Sequence, residues 1–309
     1  MTGFFPEGWL CLDGENRKML SSQSLAEAAM KSGKVLEAVA EICDSQHNLI
    51  VNLGFAKGII PRGEGAIGIE SGDTRDIALL SRVGKSVCFQ IDEIKTDAAG
   101  RTVAYLSRRK AQEKCMREYI KKLRPGDVIN ARVTHLESFG AFCDIGCGVI
   151  ALLPINSISV SRISHPRDRF FAGEDIKAVV KSVENGRITL THKELLGTWE
   201  ENAMQFSQGE TVSGIVRSVE SYGVFIELAP NLAGLAEPKS DVYLGQSASV
   251  YVKSIIRDKM KVKLIIIDSF DKEYSQKKKY FFEGEHIDRW VYSPKDSYKQ
   301  IITDFVENF

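Results

Sequence analysis

The chain has 309 residues, 43% of them apolar and 27% charged, a composition that can build two or three cores and excludes wholesale disorder. Lysine plus arginine and aspartate plus glutamate each total 41, so net charge gives no evidence for a polyanionic partner, and any electrostatic attraction must come from local patches. No apolar run approaches the ~18 residues that cross a bilayer, and no membrane partner is expected.

From the N-terminus, Met1 to Lys18 interrupts its apolar residues with Pro6, Glu7, Asp13 and Glu15. That pattern lacks the continuous apolar segment of a secretory signal and predicts a cytoplasmic protein. Ser24 with Glu27 forms a capping-box pattern ahead of a short helix ending near Lys31. Residues 1–32 therefore read as an N-terminal extension.

Beyond it the sequence repeats. Moved by 83 positions, GDVINARVTHLESFGAFCDI from Gly126 falls on GETVSGIVRSVESYGVFIEL from Gly209. Gly126, Val133, Glu137, Ser138, Gly140 and Phe142 meet Gly209, Val216, Glu220, Ser221, Gly223 and Phe225, while Phe139 meets Tyr222. At an offset of 72, Gly173 and Val180-Lys181-Ser182 meet Gly245 and Val252-Lys253-Ser254, so the later copy is shorter between the matched blocks. A weaker copy begins at Gly33, where NLIVNLGFAKGIIP from Asn48 parallels GAFCDIGCGVIALLP from Gly140, and LSRR from Leu106 parallels LTHK from Leu190. Copies of about 65 to 80 residues can each enclose a core, which favours tandem domains over a solenoid.

Within each copy, β-branched and aromatic residues alternate with polar ones and are broken by glycine, as from Val128 to Val133 and from Val224 to Leu228. Short strands are the expectation. Period two puts Phe142 and Asp144 on one face and Cys143 and Ile145 on the other. Gly140 and Gly223 predict a bulge or sharp bend that lets the sheet curl, and five short strands closing into a Greek-key barrel suit this size. The expected fold class is mainly β: three tandem five-stranded OB-fold barrels with connecting helices and a C-terminal helical tail. The chain divides into a degenerate first barrel at 33–110, a basic linker helix at 111–124, a second barrel at 125–196, a linker at 197–207, a third barrel at 208–270 and a tail at 271–309.

The helical pattern of the first connector runs from Arg108 to Arg124, with Met116, Tyr119, Ile120 and Leu123 as its apolar stripe. In the tail, Ser293-Pro294 suits a helix start, and Tyr298, Ile301, Ile302, Phe305, Val306 and Phe309 recur at helical spacing. That apolar face needs cover, either by the third barrel or by a partner. Six cysteines, at 11, 43, 88, 115, 143 and 147, show no CxxC spacing and read as reduced core thiols. Cys143 and Cys147 form a lone CxxxC, a weak metal signal, and no metal or cofactor is expected. With no P-loop, HExxH or GxSxG pattern, no enzymatic activity is expected either.

The repeated elements, GD followed by V, then (F/Y)GxF(V/I)(D/E)(I/L), a later VK and a closing (I/V)xL, resemble the S-one RNA-binding domain, found in tandem in the small-subunit ribosomal protein S-one family. The resemblance covers about residues 33 to 270 and is strong for the second and third copies. It implies RNA lying across two aromatics on each barrel, here Phe139 and Phe142, then Tyr222 and Phe225. The family's histidine is replaced by Pro154 and Glu237, and the first copy has His47 and Ile50 at the aromatic positions, so it is not expected to bind RNA in the family's way.

Exposed rings suit unpaired bases because every base has a π-face, at ~1–3 kcal/mol per stacked base. The alternative is that one or both rings fill the core. Arg132, His135, Lys181 and Arg187 in the second copy, and Arg217, Lys253, Arg257 and Lys261 in the third, are candidate phosphate contacts, Lys181 and Lys253 foremost because they repeat. Each is otherwise an ordinary solvated charge. The connector holds eight Lys or Arg against two Glu, which makes it either a basic ridge for RNA or a solvated spacer. The function expected is that of a non-enzymatic protein holding single-stranded RNA, a messenger RNA, in translation, with the small ribosomal subunit as a further partner. An interaction scaffold, or a regulator of RNA metabolism outside the ribosome, is the rival reading.

Overall fold

The computed structural model describes residues 3–184, 186–271 and 278–306. Its strands form three five-stranded sheets that each close on themselves. The first comprises β1 (Leu36–Cys43), β2 (Leu49–Asn52), β3 (Lys57–Ile60), β4 (Ser86–Thr96) and β5 (Thr102–Ser107). The second comprises β6 (Val128–Glu137), β7 (Gly140–Asp144), β8 (Ile150–Pro154), β9 (Asp175–Glu184) and β10 (Arg187–Thr191). The third comprises β11 (Thr211–Glu220), β12 (Gly223–Ala229), β13 (Leu232–Ala236), β14 (Ser247–Ile256) and β15 (Lys261–Phe270). Each traces one path, in which the third strand pairs in parallel with the fifth and the fourth returns to the first.

Alternation supplies the cores. Leu36, Leu49, Ile60, Phe89 and Leu106 are fully buried in the first barrel, each contributing about 1.5–3 kcal/mol by leaving water. Val216, Val224, Ile226, Val250 and Val252 do the same in the third. Gly223 pairs directly with Glu220 with no bulge, and Gly140 holds the matching position in the second barrel. A Cβ on either would stand 2.6 Å from the carbonyl oxygen of Leu153 or Ala236, so glycine there lets the neighbouring strand's backbone approach. Bulges fall elsewhere, among them Glu41 in β1, Arg217 in β11, Leu228 in β12, Ile267 in β15 and, in the fourth strand of each barrel, Asp92, Lys181 and Lys253.

The chain forms two compact units. The first spans residues 1–123 with 130–132 and 144–150. It holds α1 (Gly14–Met19), α2 (Gln23–Lys31), α3 (Ile77–Leu80) and α4 (Arg108–Glu118). The expected short helix is α2, but it starts after Ser22; Glu27 accepts from Gln23 instead of completing a capping box with Ser24. The connector helix stops at Glu118 and is followed by a 3-10 turn, Ile120–Lys122. It buries Arg108, Ala111, Gln112 and Cys115, whereas Met116, Tyr119 and Leu123 are only half-buried. Its charges are largely paired: Arg109 with Glu64 and Glu113, Lys110 with Asp92, and Arg117 with Glu118.

The second unit holds residues 124–129, 133–143 and those from 151 onward. It includes α5 (Trp199–Ala203), whose Thr198 and Glu201 form a capping box. Arg169, from the segment before β9, pairs with the fully buried Glu227 of β12, and Arg217 bonds both Glu227 and Asp168. Asn231 donates to the carbonyls of Lys193 and Gly197. Among its described residues the tail forms no helix. Its β16 (Arg289–Val291) and β17 (Ile302–Asp304) form a two-stranded sheet, Trp290 and Phe305 are buried in the third barrel's apolar cluster, and Tyr298 is 90% exposed. Pairing with a strand eleven residues upstream overrode the local 3.6 period, while Phe309 lies outside the described residues. Among the described residues, no helix is long and apolar enough to cross a membrane.

Candidate nucleic-acid interface

In the second barrel the β6–β7 hairpin turn carries Phe139, and β7 carries Phe142 two residues past Gly140. The rings meet edge to face with centroids 5.9 Å apart, and Phe139 is 53% exposed. Tyr222 and Phe225 repeat the arrangement at 6.2 Å and 86°, Tyr222 being 66% exposed. Neither pair is in the core. Phe142 and Phe225 are half-buried, so in each pair one ring is a fixed floor and the other stands outward. The turn brings the two rings together, where a bulge at the glycine had been expected. His135 Nε2 pairs with Glu137 at 2.6 Å and its ring stacks beside Phe142 at 6.3 Å, which makes it a third ring of this surface as much as a charge.

Register defines the surface around Phe225. Ser218, Phe225, Leu235, Lys263 and Ser254 pair in succession across β11, β12, β13, β15 and β14. Lys261 and Lys263 both face outward. Sequence reasoning had singled out only the first, although the alternation in Lys261-Val262-Lys263-Leu264 carries the signal for both. The corresponding row of the second barrel runs through Leu152, Thr189 and Ser182, with Arg187 exposed two residues before Thr189. Lys181 and Lys253 are exposed and occupy the same bulge in the fourth strand, where the extra residue leaves the ladder. Lys181 Nζ reaches Ser157 Oγ at 3.4 Å.

Three predicted cations are engaged elsewhere. Arg132 donates to the Glu7 carbonyl at 2.8 Å within the first unit. Arg217 packs against Glu227 and Asp168, because a bulge and a buried carboxylate turn it away from water. Arg257 is exposed but paired with Glu200. Beside α5, Trp199, Ala203, Met204, Phe206 and Ile255 line a cleft of about 280 Å³ whose rim holds this pair.

The first barrel differs at each corresponding position. His47 lies 3.6 Å from Asp76, Ile50 supplies no ring, and the fourth-strand bulge holds Asp92, bound to Lys110 at 2.8 Å. Deep in the second unit, burial pushes the His192 imidazole down to about 3, with Lys278 and Arg169 adding to the effect, so it is a neutral structural group. Cys143 and Cys147 are both buried, but Cys147 turns towards Cys115 and Cys88, so the close sequence spacing of 143 and 147 does not define a ligand set.

Residues 122–193 match the family of the S1 RNA binding domain. Small ribosomal subunit protein bS1 of Leuconostoc lactis is 32% identical over 225 residues, covering 71% of this chain and 49% of that protein. The bS1 protein of Staphylococcus aureus strain COL is 26% identical over 264 residues, covering 79% of this chain and 64% of that one. The chain thus spans about half to just under two thirds of the length of these relatives. A solved Streptococcus pneumoniae structure, described as a multidomain protein with nucleic acid binding domains, aligns over 76% of this chain and 74% of that one, at 15% identity and a TM-score of 0.25.

Proposed function

We infer, from the match of residues 122–193 to the S1 RNA binding domain and the similarity of the chain to bS1 proteins, that this chain holds single-stranded RNA on its second and third barrels. In this reading all three barrels are S1 domains of OB type, functionally divided at 33–110, 125–196 and 208–270, and the first has lost the RNA surface. The chain acts without catalysis, in translation, with messenger RNA as ligand and the small ribosomal subunit as partner, in the cytoplasm.

The observation that carries the reading is the repeated outward ring beside a half-buried one, Phe139 with Phe142 and Tyr222 with Phe225, in two barrels that each also carry a lysine at the fourth-strand bulge. Rings of this kind stack bases with little regard to sequence, and lysines beside them contact phosphates. Linking two such sites raises avidity through effective concentration. The working surface comprises Phe139, Phe142, Lys181 and Arg187 with Tyr222, Phe225, Lys253 and Lys261, joined by His135 and Lys263; Arg257 contributes only when released from Glu200.

Binding of a labelled single-stranded RNA to the wild type and to the four aromatic-to-alanine variants tests this. Loss of affinity in folded variants supports it. Unchanged affinity refutes the stacking surface and favours a protein-binding scaffold. Comigration with small subunits on a sucrose gradient tests the ribosomal partner separately.

A further inference from the structure

The outer face of the fourth and fifth strands is closed in two barrels and exposed in the third. Two residues before its bulge, the fourth strand carries Gln90, Val179 or Tyr251, opposite Ser107, Thr191 or Ile265 of the fifth. In the first barrel Gln90 donates to the Gly33 carbonyl and Ser107 is fully buried as the cap of α4, which packs on β4 with Lys110 against Asp92. In the second, Val179 and Thr191 are fully buried, Val179 in one apolar cluster with Leu195 and Trp199 from the segment after β10. In the third, β15 runs on as a strand to Phe270, Tyr251 is half-buried, and Ile265 is 42% exposed.

Register makes this face a continuation of the ring-and-lysine surface. Tyr251 pairs with Ile265 and Ser254 with Lys263, and all four point out of the barrel, because the intervening Val252 and Leu264 fill its core. Lys253 leaves the ladder at the bulge between the two pairs. Phe225 reaches Lys263 through Leu235, a step of two strands or about 10 Å. Ile267, also exposed, extends the apolar part, and Lys239 Nζ donates to its carbonyl at 3.0 Å, which sets a third lysine at the far edge. Asp268, exposed opposite Ser249, ends the surface with a carboxylate.

We propose that Tyr251 is a further base-stacking residue, so that the third barrel holds a longer stretch of single-stranded RNA than the second. The proposal rests on the RNA reading above. A strand leaving Phe225 passes Lys263 and Lys253, which contact its phosphates, and lays its next base on Tyr251 and Ile265. An apolar sheet face alone would suit many partners, but a ring set among three lysines matches a flat base joined to phosphate. Tyr251 is half-buried, as Phe225 is, so its ring is a fixed floor before RNA arrives. The second barrel has no such extension, because Val179 offers neither a ring nor access.

The test irradiates the full chain with a ~12-nucleotide oligouridylate carrying 4-thiouridine, a length within the range one such barrel holds. Peptide mapping should find a crosslink at Tyr251 besides those at the hairpin rings. Tyr251→Ala and Tyr251→Leu should each raise the Kd for this RNA roughly 5- to 150-fold, the effect of one stacked base, while Tyr251→Phe stays within about twofold of wild type. Thermal melts verify the fold. Should both ringless variants fail to fold, Ile265→Glu changes an exposed side chain and sets a carboxylate beside the ring, so it should weaken binding by a similar factor. Absence of the Tyr251 crosslink, folded ringless variants that bind like wild type, or an Ile265→Glu variant that does so, each overturns the proposal. If Tyr222→Ala still weakens binding in that assay, the RNA reading stands and the exposed face is left to a protein partner. If Tyr222→Ala and Phe139→Ala are also without effect, the RNA reading falls as well.

Discussion

Replacing Phe139 or Tyr222 by alanine separates the binding role of these rings from any structural one. Both stand on hairpin turns, are more than half exposed, and touch their partner ring edge to face. Removing either therefore gives up little buried surface, and the fold should lose no more than the ~0.5–1.5 kcal/mol that an aromatic pair contributes. Each ring that stacks a base contributes ~1–3 kcal/mol to binding, so each single variant should raise the Kd by roughly 5- to 150-fold. The double variant should lose the sum on an RNA long enough to touch both barrels, because the sites share no side chain. Fluorescence anisotropy with a labelled oligouridylate at one fixed salt concentration measures this, and a thermal melt on the same samples verifies the fold. Variants that melt normally and bind within twofold of wild type would refute the assignment of these rings to the interface.

Salt dependence should separate the lysines from Arg257. Lys181→Ala and Lys253→Ala should each reduce the slope of log affinity against log salt by about 0.7, the value for one single-strand phosphate contact. Arg257→Ala should change it less because Glu200 already pairs with that side chain, and Glu200→Gln should tighten binding; a Lys181 or Lys253 variant with an unaltered slope removes that lysine from the surface. Glu227→Gln leaves the buried Arg169 and its neighbour Arg217 facing a neutral amide. By the cost of breaking a buried pair, urea unfolding should show a loss of about 3–5 kcal/mol, and a loss under about 1 would show that the network is not structural. His192 is neutral when folded, down to about 3. The unfolded chain takes up this proton below about 6.5 and the folded one does not, so the His192 contribution is complete above that pH and is lost as pH falls towards 3. Asp144, raised to about 7 by burial and Glu7, tilts the other way. The readout is therefore the difference between wild type and His192→Asn, whose melting temperature should depend less steeply on acid pH; equal steepness rules His192 out.

Much of the barrel architecture is legible in the sequence because its determinants are local and repeated. Alternation gives the strands, and a ring, a glycine and a second ring within four residues give the platform at Phe139–Phe142 and Tyr222–Phe225. What was hidden depends on residues far apart in the chain. Arg217 reads as a surface cation until β12 brings a carboxylate beneath it at Glu227. Arg132 reads the same way until Glu7, 125 residues earlier, offers a carbonyl. The tail was misread because Ile301, Ile302 and Phe305 satisfy a helical period, yet the strand at Arg289–Val291 and the apolar cluster around Trp290 are what they pack against. Nothing in a local window signals that pairing.

The fourth-strand bulge ties these findings together. A bulge puts one residue outside the ladder, so its side chain is released from cross-strand packing and projects with the sheet's outer surface. In the second and third barrels that residue is Lys181 or Lys253, and in the first it is Asp92. The backbone device is the same in all three, and the charge it presents is reversed in one. In that same barrel the ring positions hold Ile50 and a histidine drawn to Asp76, and Lys110 of the connector helix answers Asp92. The proposed RNA surface therefore has neither the bulge cation nor the rings in this barrel. The first barrel thus keeps the strand path of its neighbours while its surface lacks the rings and the bulge lysine of theirs. The three copies share their strand path and differ in the few side chains that the bulge and the hairpin turn present.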